Sequence, residues 1–253
     1  EDIAREAGAS FEKIPEFKKL VIAAATRVAQ GRPGFGVFMD GIYGQEALFA
    51  ASHEKLWIAR PIEKTGSRPL EFECGGSLGA HLTEWPTEQT VKCLAFYNPD
   101  DPEDLKLRQE RELFRAYDAC RRMGREILIE IIAGKNGPLG PDSVAQVLDR
   151  LYDIGIKPDW WKLEGQKNPA AWQAIARVIE ARDPHCRGVV ILGLDAPIED
   201  LLEAFEAAAV TPWVKGFAIG RTIFGPSARA WLAGKLDDES VVAEMARRFA
   251  TFV

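Results

Sequence analysis

The chain contains few residues of the kinds that bind metals or form disulfide bonds. It has three histidines, His53, His81 and His185, and their spacing is not that of metal ligands. Its four cysteines form no CxxC pair, which is typical of reduced thiols in a cytosolic protein. The composition therefore predicts no metal, no cofactor and a cytoplasmic location.

Long hydrophobic runs and an excess of positive charge are also missing. No uninterrupted apolar run reaches 18 residues and no signal peptide begins the sequence, so we expect no membrane partner. Lysine and arginine total 32 against 38 aspartates and glutamates, and the net charge of -6 argues against a nucleic-acid partner. A small anionic ligand is still compatible with this balance, because a few clustered cations can bind one phosphate in an acidic protein.

What the sequence does contain is a regular alternation of short apolar segments with amphipathic stretches. Eight segments predict strands, at residues 36–40, 56–60, 70–73, 91–97, 127–132, 160–163, 189–192 and 214–219. Helices are predicted at residues 15–30, 102–123, 142–154, 169–182, 197–208 and 237–253, whereas the link at residues 63–69 is too short for one. Alternating strands and helices imply parallel pairing. Eight such units in 253 residues predict an α/β fold, a (β/α)8 TIM barrel with an extra N-terminal helix, as one domain over residues 1–253.

One lysine lies inside a predicted strand. Lys162 interrupts the apolar sixth segment, in the sequence DWWKLE at residues 159–164. Removing an ammonium group from water is costly unless the group is paired or becomes neutral. Since a neutral lysine amine is the nucleophile that forms Schiff bases with carbonyl substrates, Lys162 is a candidate nucleophile.

Strand alternation places other charged side chains on the same inner faces. The outer residues of the fourth, fifth and sixth segments are apolar, as packing against helices requires, so Lys92, Glu130 and Glu164 point inward with Lys162. Asp40, which ends the first segment, joins them by the same count. A buried layer of ion pairs would explain any one of these charges. Charges from four strands, most of them near carboxyl ends, favour an active site instead.

These residues suit Schiff-base chemistry. A second cation at Lys92 would favour the neutral form of Lys162, while Glu130 and Asp40 could pass protons between carbinolamine, imine and enamine. We therefore assign Lys162, Glu130, Asp40 and Lys92 as candidate catalytic residues of a metal-independent enzyme.

A phosphate site is indicated where the last two predicted strands end. Gly220 and Arg221 follow the eighth strand, Gly193 ends the seventh, and phosphates in barrels commonly bind after these strands. A tight turn with a surface arginine is the alternative explanation. Arg60 either binds a substrate carboxylate or pairs with an acidic neighbour, Glu63 or Asp40. Glu164, which points inward from the sixth segment, is also a candidate for contact with the substrate. The predicted substrate-binding residues are therefore Arg60, Glu164, Gly193, Gly220 and Arg221.

The sequence also resembles known aldolases. Asp40 and the motifs EKTG (63–66), VKCL (91–94), DDPE (100–103), LIEI (128–131), KLE (162–164) and GRT (220–222) follow the order of the class I tagatose-1,6-bisphosphate aldolases. The segments WWKLE (160–164), DPHCRGVV (183–190) and GFAIGRTIF (216–224) are closer still to another group. They resemble the aldolase-like domain fused to 5-dehydro-2-deoxygluconokinase in bacterial inositol catabolism. The resemblance runs from about residue 34 to the C-terminus.

The resemblance implies roles for the same residues. Lys162 would form the Schiff base, Glu130 would be the acid/base for imine formation, and Asp40 and Lys92 would set charge and handle protons. The implied reaction cleaves 2-deoxy-5-keto-gluconate 6-phosphate to dihydroxyacetone phosphate and malonate semialdehyde. Arg221 would then bind the phosphate. A sugar kinase, fused or associated, is the implied protein partner. Apart from the resemblance, a second copy of the chain is a further candidate partner.

Two other functions fit the same residues. One is a catalytically silent barrel that binds a sugar phosphate and has a regulatory or assembly role. It is favoured by Ile42, because relatives usually carry an arginine two residues after the aspartate equivalent to Asp40. The other is an isomerase or epimerase that uses the carboxylates alone, and it would survive loss of Lys162 but not of Glu130.

Overall fold

The computed structural model describes all 253 residues, apart from the side chain of Asn136. The chain forms two compact units. The first unit comprises Glu1–Arg60 and Ile219–Val253, and the second comprises Pro61–Ala218. The single domain predicted over residues 1–253 stays a prediction.

Ten α-helices and seven strands make up the described chain. The helices are α1 Asp2–Glu6, α2 Ile14–Ala29, α3 Gln45–Ser52, α4 Leu78–Thr83, α5 Glu103–Arg122, α6 Ser143–Asp153, α7 Pro169–Arg182, α8 Ile198–Ala208, α9 Arg221–Leu232 and α10 Asp238–Ala250. The strands are β1 Gly36–Phe38, β2 Trp57–Pro61, β3 Thr90–Phe96, β4 Ile127–Ile132, β5 Trp160–Glu164, β6 Gly188–Leu192 and β7 Val214–Ala218. Short 3₁₀ turns occupy Phe11–Lys13 and Gly134–Asn136.

The second unit is built on parallel strands separated by helices. Strands β3 to β7 pair in chain order, each parallel to the next. In the first unit β1 pairs with β2, also in parallel. The mixed α/β class and the parallel pairing are confirmed, and they are consistent with a TIM-like α/β barrel. The helices predicted between the later strands are confirmed as α5, α6, α7 and α8.

The third predicted strand, residues 70–73, is wrong, so the described chain has seven strands rather than eight. These residues form one antiparallel bridge, between Phe72 and Glu63, flanked by hydrogen bonds from Lys64 N to Glu71 O and from Glu73 N to Ile62 O. A parallel neighbour needs a crossover of a dozen or more residues. The link after β2, residues 62–69, is shorter than that, so the chain returns antiparallel to itself.

The core of the second unit lies between the strands and their helices. Val91, Cys93, Ile129 and Trp161, which face outward on β3 to β5, have no exposed surface. The helices meet them with apolar faces, such as Leu113, Ala116 and Cys120 on α5, which are also fully buried. This alternation leaves the opposite faces of the strands for polar side chains.

The first unit packs three helices around an aromatic core. Helix α2, the predicted N-terminal helix, packs with α9 and α10, and Phe17 and Trp231 lie with ring centroids 5.7 Å apart. Helix α2 and the final helix were predicted, whereas α3 and α9 were not. None of the described helices combines the length and apolar character that a membrane crossing requires.

Candidate active site

The strand register of the second unit brings two opposite charges side by side. Glu130 on β4 is the direct partner of Lys162 on β5 and of Leu94 on β3. Lys92 lies two residues before Leu94, so its side chain reaches Glu130 from the other side. Because residues that are partners in parallel strands point to the same face, Lys92, Glu130 and Lys162 converge as the sequence predicts.

These residues form a line of alternating charges with Glu63, which we call the charge ladder. Lys92 Nζ pairs with Glu63 Oε1 and lies 2.7 Å from Glu130 Oε2. Lys162 Nζ lies 3.0 Å from the other oxygen of the same carboxylate, Glu130 Oε1. The ladder thus contains two carboxylates and two ammonium groups, with Glu130 bridging the two lysines.

All four side chains of the ladder are buried. Their exposed fractions are 7% for Glu63, 8% for Lys92, 3% for Glu130 and 7% for Lys162. An isolated charge at such depth would be unstable, and alternating signs offset much of that cost. Their combined formal charge is zero when all four are ionised, so the ammonium groups balance the carboxylates.

The two lysines respond differently to burial. Burial opposes the charge of Lys92, but the carboxylates of Glu130 and Glu63 outweigh it and raise the pKa of Lys92. Burial lowers the pKa of Lys162, and the nearby Lys92 adds to this, so the attraction of Glu130 does not restore the usual value. Burial also opposes the charge of Glu130, yet the two ammonium groups keep its pKa below the usual range. Lys162 is therefore the lysine more readily found as a free amine.

Glu164 lies at the end of β5 on the same inner face but is bound by different partners. Its Oε2 accepts hydrogen bonds from the backbone N–H groups of Ala133 and Gly134, at 2.7 and 2.8 Å. Burial raises the pKa of Glu164, and the negative charge of Glu130 contributes, against the lowering effect of the two backbone donors. The inner face thus carries two carboxyl groups in opposite electrostatic environments.

A buried asparagine supports the backbone that binds Glu164. Asn98, which follows β3, donates from Nδ2 to the carbonyl of Ala133 at 2.9 Å. Its own N–H donates to Asp101 Oδ2 at 3.0 Å, and Asp101 pairs with Arg68. The ends of β3, β4 and β5 are therefore tied together by hydrogen bonds.

Comparison with known proteins assigns the chain to a family. The family described as "Uncharacterized protein conserved in bacteria (DUF2090)" matches residues 1–253. The chain belongs to the DUF2090 family. No curated protein matches its sequence.

Two solved structures share the fold of this DUF2090 chain. One is Cgl0159 from Corynebacterium glutamicum (Brevibacterium flavum), with a TM-score of 0.61 and 18% identity over 94% of this chain and 78% of that one. The other is a fructose-bisphosphate aldolase from Slackia heliotrinireducens, with a TM-score of 0.56 and 15% identity over 91% of this chain and 76% of that one. At these identities the similarity establishes an aldolase-like fold and nothing finer.

Glu63 is the member of the ladder that sequence reasoning missed, since it was considered only as a partner of Arg60. Its position in a link gave no strand alternation from which to predict its direction. The bridge to Phe72 and the hydrogen bond from Ile62 N to Lys92 O, 3.0 Å long, hold the link beside β3. An acidic residue two positions after the end of β2 was the available signal.

The remaining predicted residues are distributed over both units of the DUF2090 chain. In the second unit, the N–H of Gly193 donates to the carbonyl of Ala218 at 3.3 Å. In the first unit, Gly220 precedes α9 and Arg221 begins it with an exposed side chain. Arg60 lies on β2, and its guanidinium would meet a Cβ placed on Gly41 at 2.9 Å. Their roles in ligand binding stay predictions.

Asp40 has a partner that the sequence did not reveal. It pairs with Lys18 of α2, and its Oδ1 accepts the N–H of Tyr43 at 2.8 Å. Burial opposes the charge of Asp40, but Lys18 and the Tyr43 N–H lower its pKa, so the carboxylate stays ionised. Among the described side chains, no cluster of histidines, cysteines and carboxylates is suited to holding a metal ion.

Proposed function

We propose that this chain is a class I aldolase in which Lys162 forms a Schiff base with the carbonyl group of a ketose phosphate. The observation that carries the proposal is the burial of Lys162 in the charge ladder, on the same carboxylate as a second buried lysine. Lys92 lies between Glu63 and Glu130, whereas Lys162 meets the remaining oxygen of Glu130. A cation fixed beside a second buried lysine is a known way to favour the neutral, nucleophilic form of that lysine. The aldolase-like fold supports the same reaction class.

In the proposed mechanism, the Lys162 amine attacks the substrate carbonyl carbon to form a carbinolamine. Glu130 Oε1, 3.0 Å from Nζ, passes the proton of the attacking nitrogen to the carbonyl oxygen, which completes the carbinolamine. A second proton, taken up from solvent, converts the hydroxyl group to water, and the nitrogen lone pair expels this water to leave the iminium. The iminium then withdraws the electron pair of the neighbouring carbon–carbon bond, which yields an enamine and an aldehyde. Protonation of the enamine carbon and hydrolysis release the second product and regenerate the amine.

The substrate we propose is 2-deoxy-5-keto-gluconate 6-phosphate, cleaved to dihydroxyacetone phosphate and malonate semialdehyde. Its support is the motif resemblance described above. In this proposal Gly193, Gly220 and Arg221 bind the phosphate, Arg60 binds the carboxylate, and Asp40 assists proton handling. A cytoplasmic location, a sugar kinase partner and a homo-oligomer belong to the same proposal.

Reductive trapping tests the nucleophile directly. The protein is incubated with dihydroxyacetone phosphate and sodium borohydride, and the modified peptide is mapped by mass spectrometry. We expect the adduct on Lys162 and none in Lys162→Met. Lys167→Met is the matched control, because Lys167 follows the same strand but is exposed and paired with Asp200 and Glu203. Wild-type protein that forms no adduct on Lys162 refutes the mechanism.

A catalytically silent sugar-phosphate-binding barrel is the second candidate. The observation in its favour is Ile42, which is 64% exposed and occupies a position where the resembling aldolases carry an arginine. This candidate predicts that dihydroxyacetone phosphate raises the melting temperature without adduct formation or turnover. Ile42→Arg should restore activity if loss of that side chain alone has silenced the site.

A further inference from the structure

The inference concerns Glu164, and it rests on the proposed Schiff-base function. Glu164 and Lys162 are two residues apart on β5, so their side chains share the inner face and are separated by about 7 Å along the strand. Glu164 is nearer the carboxyl end, where barrel active sites open. A carbonyl compound that reaches Lys162 from this end must therefore pass beside Glu164.

The two oxygens of Glu164 lie in different surroundings. Oε2 is held by the N–H groups of Ala133 and Gly134, so the groups that orient the side chain are backbone donors rather than a cation. Oε1 lies next to Gly134, where a Cβ would meet it at 3.0 Å. A larger residue at position 134 would therefore press on the Glu164 carboxylate, which glycine does not.

The two inner carboxyl groups also have opposite tendencies to bind a proton. Glu130 lies between two ammonium groups, which favour its ionised form. Glu164 is buried beside backbone amides and the negative charge of Glu130, and its pKa is raised. A pair of carboxyl groups whose environments separate their proton affinities is a pattern that enzymes use to divide acid and base roles.

We propose that Glu164 is a second catalytic acid/base, which carries the proton between the substrate hydroxyl and the enamine carbon. As the carbon–carbon bond breaks, its electron pair moves to the iminium, and Glu164 Oε1 accepts the hydroxyl proton while the aldehyde carbonyl forms. After the aldehyde leaves, Glu164 gives the same proton to the enamine carbon, which regenerates the iminium for hydrolysis. Glu130 serves the nitrogen of Lys162 throughout.

Glu164→Gln separates this role from a purely structural one. A glutamine carbonyl can still accept both backbone N–H groups, but the side chain cannot carry the proton. With dihydroxyacetone phosphate, we expect borohydride trapping on Lys162 to stay within about twofold of wild type, while aldol turnover falls about 100-fold to 10,000-fold. Glu126→Gln is the matched control, since Glu126 precedes β4 at its opposite end and bonds Trp160, and its turnover should be unchanged.

The outcomes distinguish this inference from the proposed function. Wild-type protein without an adduct on Lys162 refutes the function itself. A normal adduct with turnover retained in Glu164→Gln overturns the role of Glu164 alone, and so does equal loss of trapping and turnover in a folded variant.

A measurement on wild-type protein covers the case in which the variant does not fold. Exchange of the carbon-bound proton of dihydroxyacetone phosphate in deuterated water should depend on a group that titrates above the ordinary glutamate range. If the exchange rate does not change with pH between the ordinary pKa of a glutamate, about 4.3, and neutral pH, the proposal is overturned.

Discussion

Replacing Lys92 by methionine should make Lys162 harder to deprotonate. Lys92 and Lys162 contact the two oxygens of Glu130, at 2.7 and 3.0 Å. Two ammonium groups on opposite oxygens of one carboxylate lie about 5 Å apart, and at an effective dielectric constant of about 20 they repel by about 3 kcal/mol. Without Lys92 this repulsion is lost and the whole Glu130 carboxylate is left to Lys162, so the pKa of Lys162 rises.

The assay is the rate of borohydride trapping with dihydroxyacetone phosphate as a function of pH. Since only the neutral amine attacks the carbonyl, the pH at which trapping on Lys162 becomes half-maximal should move up in Lys92→Met. Near neutral pH the trapping rate should then fall by up to about 100-fold, and raising the pH should restore it. A midpoint that is unchanged or moves down refutes the electrostatic role given to Lys92.

The same substitution has a stability cost that a double variant should relieve. Lys92→Met leaves Glu63 buried without its ion-pair partner, and loss of one member of a buried pair costs about 3 to 5 kcal/mol. In Lys92→Met/Glu63→Gln both charges are gone, so the free energy of unfolding in urea should lie between those of wild type and the single variant. Because the double variant also lacks the repulsion from Lys92, its trapping midpoint should still lie above that of wild type.

Three further outcomes test the surroundings of the site. Trp161→Phe removes the hydrogen bond from the indole Nε1 to Tyr152 Oη, 2.7 Å long in the core, and should lower the free energy of unfolding in urea by about 1 to 3 kcal/mol. Asn98→Ala removes the bond to the carbonyl after β4 and should lower both this free energy, by about 1 to 3 kcal/mol, and aldol turnover. Glu130→Gln should slow trapping on Lys162 at every pH, without recovery at high pH.

The faces of the strands could be predicted from the sequence because side chains alternate with a period of two. Val91 and Cys93 had to face the helices, and this fixed the inward direction of Lys92. The same reasoning holds for Glu130 and Lys162. The face to which a side chain points is a local property of the strand, so one sequence is enough to predict it.

The third predicted strand shows where this reasoning ends. Residues 70–73 carry an alternating pattern, and a pattern reports which face is buried but not which neighbour the strand has. The length of the preceding link was the more useful signal, because residues 62–69 cannot hold a crossover. Loop length should therefore be considered before strand count when a barrel is predicted from sequence.

The pairing of charges could not be predicted, because it depends on register and on loops. Strand alternation alone does not select which carboxylate each lysine meets. Glu63 enters the ladder from a link, and Asp40 is paired with Lys18 from a helix. Such contacts join residues with no shared periodicity, so they follow from tertiary structure alone.

The pairing of both lysines with Glu130 determines how the charge of the covalent intermediate is balanced. When Lys162 is a neutral amine, the other three members of the ladder carry a net negative charge, which comes from Glu63, Lys92 and Glu130. An iminium at Lys162 restores neutrality with Glu130 as its direct counterion at 3.0 Å. Burial and Lys92 disfavour the ammonium before the substrate binds, whereas Glu130 is retained at the nitrogen after the imine forms. The same four side chains can thus favour the free amine first and accommodate the cationic intermediate next, because Glu130 contacts both lysines.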